Sequence, residues 1–264
     1  MSGRVFGAMV LILTGVLFLL SNLGILPGNA WNYFFPALLV LIGALLLMGW
    51  RGGERTLEMV NDSAPLGNAA RAAVNLKHGA GRLRVRAGSD AALLFSGSFG
   101  GGVAKKISHS NGTAFVELKS PDAMWENLQF LNPRGLEWDV LLNPKVPTML
   151  KYEGGAAETK MDLSGVHLTE LEINTGASST DVALPQPNGV MRVLVHSGAA
   201  SVKIRVPPNV PATIRGTMGL GTIDADSARF PDRGFGVHQS DKYADATDKI
   251  EMTLEGGVGS VEIR

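Results

Sequence analysis

The sequence contains no cysteine among its 264 residues, which excludes disulfides, cysteine-ligated zinc and thiol catalysis. Aromatic residues are also sparse, at 6% of the chain. Neither sign of charge is in excess, because 24 basic residues balance 24 acidic ones. Nucleic-acid binding depends on basic surfaces that attract phosphate, so this balance argues against a nucleic-acid partner.

The first fifty residues lack charge almost entirely, since Arg4 is the one charged side chain among them. Two apolar runs, Val5–Leu26 and Tyr33–Trp50, flank a short break at Pro27. At about 1.5 Å per residue, the first run is long enough for a hydrocarbon core of about 30 Å. The pattern predicts a transmembrane α-helical hairpin over residues 1–50. A cleaved signal peptide is the alternative, but its apolar region would be too long and a second span follows it.

Aromatic and basic residues mark the edges of the two predicted spans. Trp31, Tyr33 and Trp50 have the positions of interfacial aromatic residues. Arg4 precedes the first span and Arg51 follows the second, while the loop between the spans has no charge. The positive-inside rule therefore predicts that both ends, and the soluble part, lie on the cytoplasmic side of the cell membrane. The predicted partner of this hairpin is the lipid bilayer.

A glycine-rich phrase recurs in the soluble part. Anchored on its first glycine, the steps between copies are 76, 21, 22, 21 and 38 residues. The six glycines predicted to form the corners of a structural repeat are Gly79, Gly155, Gly176, Gly198, Gly219 and Gly257. Glycine suits a corner because it lets neighbouring backbones approach closely.

Alternating apolar and polar residues flank these corners, as in Ser201–Val206, where Val202 and Ile204 would point inward. Units of two short strands bury a core only when they stack. The pattern predicts an all-β domain over residues 73–264, either a β-solenoid or a layered β-sandwich of stacked hairpin-like units. A juxtamembrane linker is expected over 51–72, and the final strand, within 250–263, is expected to cap the stack.

One conventional hairpin is predicted beside the repeats. The runs Val103–Ser108 and Ala114–Lys119 alternate, and the turn between them contains Asn111-Gly112. This dipeptide favours the two positive φ angles of a type I′ turn. Irregular stretches at Pro121–Gly135 and Ser227–Asp248 are expected to carry recognition, as loops on rigid scaffolds often do.

The sequence contains no pattern typical of a catalytic, phosphate-binding or metal site. A phosphate-binding loop needs a helix N-terminus or a Lys-Ser/Thr pair after its glycines, whereas each corner leads into a strand. The five histidines are scattered, and surface or turn positions are expected for them, although stacking could bring His78 and His196 together. A loose acidic series after residue 223 matches no calcium loop. We therefore expect no enzyme activity, no cofactor and no metal site.

At this point the residues resemble a known family. The double span resembles the membrane module of LiaF-like proteins, and the soluble part resembles the toastrack domain found in them and in related putative adhesins. Besides the serial Gly-Ala corners, the resemblance rests on Gly15–Leu20, Phe35–Gly43, Leu76–Val85, Trp138–Val140 and Asp162–Gly165.

The resemblance implies a bacterial membrane protein of the cell-envelope stress response. Its expected action is protein–protein interaction, with a membrane sensor histidine kinase as the partner that it restrains. The alternative is a membrane-anchored, adhesin-like β-solenoid that forms a homo-oligomer through exposed strand edges.

Overall fold

The structure is a computed structural model that describes residues 14–16, 19, 23, 33, 34, 36, 38–40, 59–121 and 136–264. The described residues from 59 onward are nearly all β. In chain order the strands are β1 (Met59–Pro65), β2 (Arg71–Ala87), β3 (Leu93–Gly100), β4 (Ala104–Ser110), β5 (Thr113–Lys119), β6 (Glu137–Leu142), β7 (Thr148–Asp162), β8 (Leu168–Thr175), β9 (Ser179–Ala183), β10 (Val190–Arg205), β11 (Ala212–Ala225), β12 (Val237–Gln239) and β13 (Lys249–Ile263).

The long strands are parallel and stack in one order, β2, β7, β8 with β9, β10, β13 and β11. Each consists of two arms joined at a corner. The two arms pair with different neighbours at the start of the stack, because residues 71–77 of β2 pair with β5 whereas residues 82–87 pair with β6. The predicted stacking of strands is therefore confirmed. Hairpin-like units are not what stacks, since neighbouring layers are parallel.

The core is built from side chains in equivalent positions of successive layers. In the first arm, Leu76 is in register with Tyr152, Tyr152 with Ile173, Ile173 with Val195, and Val195 with Leu254. All five are buried. Since the inward positions alternate along each arm, successive layers share one continuous apolar interior.

The hairpin predicted around Asn111-Gly112 is confirmed, because β4 pairs antiparallel with β5 and Ser110 lies opposite Thr113. Both turn residues have positive φ, +50° at Asn111 and +73° at Gly112.

The linker predicted for residues 51–72 was wrong in part. Met59–Pro65 forms β1, which pairs antiparallel with β3, and β2 begins at Arg71. Ala64 is the one buried side chain of β1, so this edge strand has almost no alternating pattern for the sequence to show. Residues 51–58 lie outside the described residues.

The cap predicted at the C-terminus was also wrong. β13 lies inside the stack, with β10 on one side and β11 on the other, in parallel register with both. The outermost layer is β11, and β12 pairs antiparallel with its residues 213–215. The 38-residue step from Gly219 to Gly257 therefore leads back into the stack, because the chain places its last strand between the two preceding layers.

Among the residues that the structure describes, no helix is long and apolar enough to cross a membrane. The described residues at positions 14–16, 19, 33, 34, 36 and 38–40 are helical. Most of the predicted hairpin over residues 1–50 lies outside the described residues.

Candidate functional site

The six corner glycines form one row along the stack. A Cβ added to Gly155 would overlap the Gly79 carbonyl oxygen. At the next layers the added Cβ would lie 3.0–3.1 Å from the carbonyl oxygen of the preceding glycine. Successive contacts give the order Gly79, Gly155, Gly176, Gly198, Gly257 and Gly219. Backbone contacts backbone along this row, so an added side chain is excluded at Gly155 and crowded at the later layers.

The residues that follow these glycines form a second, outward row. Ala199 is in register with Val258, and Val258 with Leu220. Leu220 is 75% exposed and Val258 is 52% exposed. The row as a whole consists of Ala80, Ala156, Ala177, Ala199, Val258 and Leu220. Larger side chains already occupy the last two layers, so there is space on this side of the corner.

Inside the corner lies His78, which is 1% exposed. Its ring packs against Trp138 with 5.0 Å between ring centroids. Phe99 in turn packs edge-on against Trp138. Neither ring nitrogen of His78 makes a well-formed hydrogen bond with a described residue. Burial lowers the pKa of His78 to about 4, and the nearby Leu136 carbonyl offsets part of that effect. The side chain is therefore neutral at physiological pH.

The prediction that the histidines occupy surface or turn positions was wrong for His78, because the inward positions of its strand place it in the core. His196 lies on the outer face, where its Nδ1 is 3.2 Å from Glu255 Oε2. The two histidines are not brought together, since His78 is in register with Gly154 whereas His196 is in register with Asn174 and Glu255. In the part of the chain that the structure describes, no group of three potential ligands converges on a metal-sized site.

The aspartates of the acidic series after residue 223 do not form a cluster, because each of those described next has its own partner. Asp224 forms an ion pair with Arg264 at 2.6 Å, and Asp248 accepts the Gly189 N–H at 2.6 Å. Asp226 accepts the Ala228 N–H, and Asp232 accepts the Gly234 N–H. Each carboxylate therefore stabilises a nearby turn or strand end. Asp241 instead pairs with Arg233.

Charged side chains cover the outer face of the sheets in cross-strand pairs. Lys151 lies 2.9 Å from Glu172, and this contact lowers the pKa of that carboxyl. Lys77 lies 2.8 Å from Glu117 and likewise lowers the pKa of its partner. These side chains are partly solvated, so each pair stabilises the fold only slightly. The outer face is thus a mixed-charge surface suited to specific contact rather than to binding one sign of charge.

Three shallow clefts lie on the described surface. One, of about 800 Å³, adjoins the corner and includes His196, Thr217 and Glu255. A second, of about 390 Å³, lies on the first-arm sheet and includes Phe115 and Met149. The third, of about 430 Å³, adjoins the Asn111-Gly112 turn. None of the three contains a nucleophile with an oriented base, which acid–base or nucleophilic catalysis would require.

Of the five residues predicted at the membrane interface, the structure describes Tyr33. Tyr33 is helical and half-buried. Arg4, Trp31, Trp50 and Arg51 lie outside the described residues.

With the geometry established, comparison with known proteins identifies the family. Residues 53–205, more than half of the chain, match the profile for the N-terminal domain of toast_rack, DUF2154. The chain belongs to the toast-rack family. A LiaI-LiaF-like transmembrane region precedes the toast-rack match, over residues 5–47. The resemblance inferred from the sequence is confirmed for both parts, and the match associates the N-terminal part of this toast-rack protein with the membrane.

The fold is also found in a solved structure. A "putative cell adhesion protein" from Clostridium sporogenes ATCC 15579 is 24% identical, with a TM-score of 0.69. The alignment covers 78% of this chain and 98% of that one. A "putative adhesin" from Bacteroides fragilis NCTC 9343 is 8% identical, with a TM-score of 0.31, and that alignment covers 78% of this chain and 97% of the adhesin chain. No curated protein matches significantly.

Two features of the toast-rack domain were not found from the sequence. The first is the buried His78–Trp138 contact, which joins strands far apart in the chain. The second is Phe235, whose side chain is fully exposed and whose φ is +54°. The only sequence signal for Phe235 was its position between Gly234 and Gly236, since paired glycines mark a tight turn.

Proposed function

We propose that this protein is a membrane-tethered regulatory scaffold of the bacterial cell-envelope stress response that acts by protein–protein contact and restrains a sensor histidine kinase. The observation that carries the proposal is the order of two matches on one chain, a LiaI-LiaF-like transmembrane region over 5–47 followed by the toast-rack domain from residue 53. A kinase in the same bilayer would be held beside a rigid β surface.

The described surface supports contact rather than turnover. The outer face carries mixed charges, and the clefts are shallow. The outward row beside the corner glycines is apolar, and most of its residues are exposed. Interfaces combine such apolar centres with a polar rim. Stacked, parallel layers also hold these side chains at fixed spacing, so a partner would meet a preformed surface.

Site-specific photo-crosslinking in cells tests the kinase proposal. A photoreactive residue at Ala199 or Phe115, both exposed, is expected to capture a histidine kinase at rest and to lose it under envelope stress. The same residue at buried Val193 is the matched negative control. Recovery of no kinase from either exposed position, in either condition, would contradict this function.

A membrane-anchored, adhesin-like scaffold that self-associates is the second candidate. The observation that favours it is an open strand edge, because residues 217–225 of β11 pair with no described strand on the side away from β13. Such an edge presents unpaired backbone groups to another chain. The likeness to a structure named a putative cell adhesion protein agrees with this reading.

Membrane sidedness separates the two candidates, and the absence of native cysteine makes the test clean. Ser110 and Ser227 are exposed, so single cysteines there report accessibility to an impermeant thiol reagent. Ser240 is 9% exposed and its Oγ accepts the Ala212 N–H, so Ser240→Cys is a buried control. The regulatory proposal expects labelling only after lysis. Labelling of Ser110→Cys and Ser227→Cys in intact cells would favour the adhesin-like scaffold.

A further inference from the structure

The described β structure begins with two exposed apolar side chains. Met59 is 52% exposed and Val60 is 39% exposed at the start of β1. Among the described strands, β1 pairs with β3 alone, so its other edge is open. Ala64 is the one buried side chain of β1. The fold therefore gains little packing from the two large residues with which the strand begins.

The chain reaches Met59 from its membrane-associated part. The LiaI-LiaF-like transmembrane match ends at residue 47, so residues 48–58 form a tether that leads to β1. At about 3.5 Å per residue, this tether spans at most about 40 Å when it is fully extended. The start of β1 is therefore held near the bilayer. A weak contact between the two is favoured, because the tether raises their effective concentration.

The beginning of β4 lies beside the beginning of β1. Met59 is in register with Gly100, the last residue of β3. Two glycines with positive φ follow, and β4 begins at Ala104, which is exposed. Lys105 then reaches back to β1, where its Nζ lies 2.6 Å from Asp62 Oδ1. The starts of the two strands thus form one edge of the domain, the β1–β4 edge, which consists of residues 59, 60 and 104–106.

Lysines border the β1–β4 edge. Lys106 is exposed on β4, and Lys119 is the last residue of β5, which pairs with β4. The hydrogen bond from Lys77 lowers the pKa of Glu117, and the charges of two more lysines, Lys106 and Lys119, lower it further. Three ammonium groups therefore lie near one carboxylate, which leaves an excess of positive charge beside the exposed apolar residues.

Charge is also distributed unequally along the stack. The described residues from 59 to 142, which form β1 to β6, contain eight basic and five acidic side chains. Residues 143–264, which form β7 to β13, contain twelve basic and fifteen acidic ones. The part that receives the chain from the membrane therefore has a formal balance of +3, and the remainder has −3. An anionic bilayer surface attracts the first and repels the second.

We propose that the β1–β4 edge rests on the bilayer surface, where Met59 and Val60 enter the interface and the neighbouring lysines contact anionic phosphate headgroups. Lysine suits this position because its stem packs along apolar material while its ammonium group stays in the polar layer. Leu220 and Phe235, which are also exposed, lie in the acidic remainder of the stack and lack such lysines. The contact fixes which edge of the domain faces the membrane. It goes beyond both candidate functions, since neither requires it.

Quenching of a fluorophore by nitroxide-labelled lipid tests the contact. The full-length protein is reconstituted into vesicles of phosphatidylcholine with phosphatidylglycerol. Because the chain has no native cysteine, a single fluorophore can be attached at Ala104→Cys. Ser110→Cys, exposed at the other end of the same strand, is the matched control. About 20 Å separates the two positions at about 3.3 Å per residue, so quenching should be at least about twofold stronger at position 104.

Two pairs of substitutions separate lipid contact from mere proximity to the tether. Lys106→Gln with Lys119→Gln removes two positive charges, so the excess quenching at position 104 should fall by about half or more in vesicles with phosphatidylglycerol. Met59→Ser with Val60→Ser removes the apolar contact and should reduce the excess quenching in pure phosphatidylcholine vesicles as well. Thermal unfolding of each variant checks that the fold is retained.

Equal quenching at the two labelled positions, or stronger quenching at position 110, would overturn the proposal. So would excess quenching at position 104 that neither pair of substitutions reduces, because the tether alone would then explain it. The kinase proposal is tested separately, since its crosslinking positions, Phe115 and Ala199, lie outside the β1–β4 edge. Failure of one proposal therefore leaves the other standing.

Discussion

Two adjacent rows at the corner of the stack differ in what limits their side chains. In the glycine row, backbone lies against backbone, and an added Cβ at Gly155 would overlap the carbonyl oxygen of Gly79. In the row beside it, Val258 and Leu220 already carry large, exposed side chains. At Gly155 the neighbouring backbone thus excludes a side chain, whereas Ala156, one residue further along the strand, faces solvent. In the repeated Gly-Ala phrase, the glycine is set by close packing between layers and the following residue faces solvent.

The largest effect that this comparison predicts belongs to Gly155→Val. The new side chain would force β7 away from β2 at the corner, so we expect the free energy of unfolding to fall by about 3 kcal/mol or more. Chemical denaturation of the full-length protein measures it. Ala156→Val, one residue further along, is the matched control. Equal losses from the two variants would show that the row does not determine tolerance.

The inward side of the corner gives the next effect, through His78. Burial lowers its folded-state pKa to about 4 from an ordinary 6.5, so the unfolded chain takes up the proton first as pH falls. This contribution to stability is fully present above about pH 6.5 and is lost as pH falls toward 4, by about 3 kcal/mol in total. Stability measured from pH 7 to pH 4 should show the loss.

His78→Phe provides the comparison for that titration, since phenylalanine can still pack against Trp138 but cannot be protonated. Its stability should depend less on pH over the same window. An unchanged pH dependence in this variant would mean that other groups are responsible for the acid sensitivity of the fold.

The smallest effect is expected in the outward row. Ala156→Val adds two methyl groups to an exposed strand position, where β-branched residues are favoured. The free energy of unfolding should therefore change by no more than about 0.5 kcal/mol. Thermal unfolding beside the wild type measures this, and a large loss would show that the outward row is packed against something.

The sequence predicts repeating features better than single ones. The glycine spacing and the alternation in Ser201–Val206 predict stacked strands because every layer repeats the same signal. The position of β13 could not be predicted, since its alternation fits an internal layer as well as an outer one. β1 was missed because Ala64 alone is buried on it. The burial of His78 depends on Trp138, 60 residues away, and no local pattern contains that contact.

Two tight turns of the chain follow the same division. The Asn111-Gly112 turn was predictable because its residues match its backbone. The Phe235-Gly236 turn was not, because its first residue opposes its backbone, and only the observed φ of +54° and the exposure of the ring reveal it.

The most direct test of the central claim, that the glycine phrase is a structural corner rather than a binding loop, is the difference in unfolding free energy between Gly198→Val and Ala199→Val. An added Cβ at Gly198 would lie 3.1 Å from the Gly176 carbonyl oxygen, while Ala199 is exposed. We predict a loss of about 1–2 kcal/mol for the first and a change near zero for the second. Equal stability of both variants and the wild type would contradict the account.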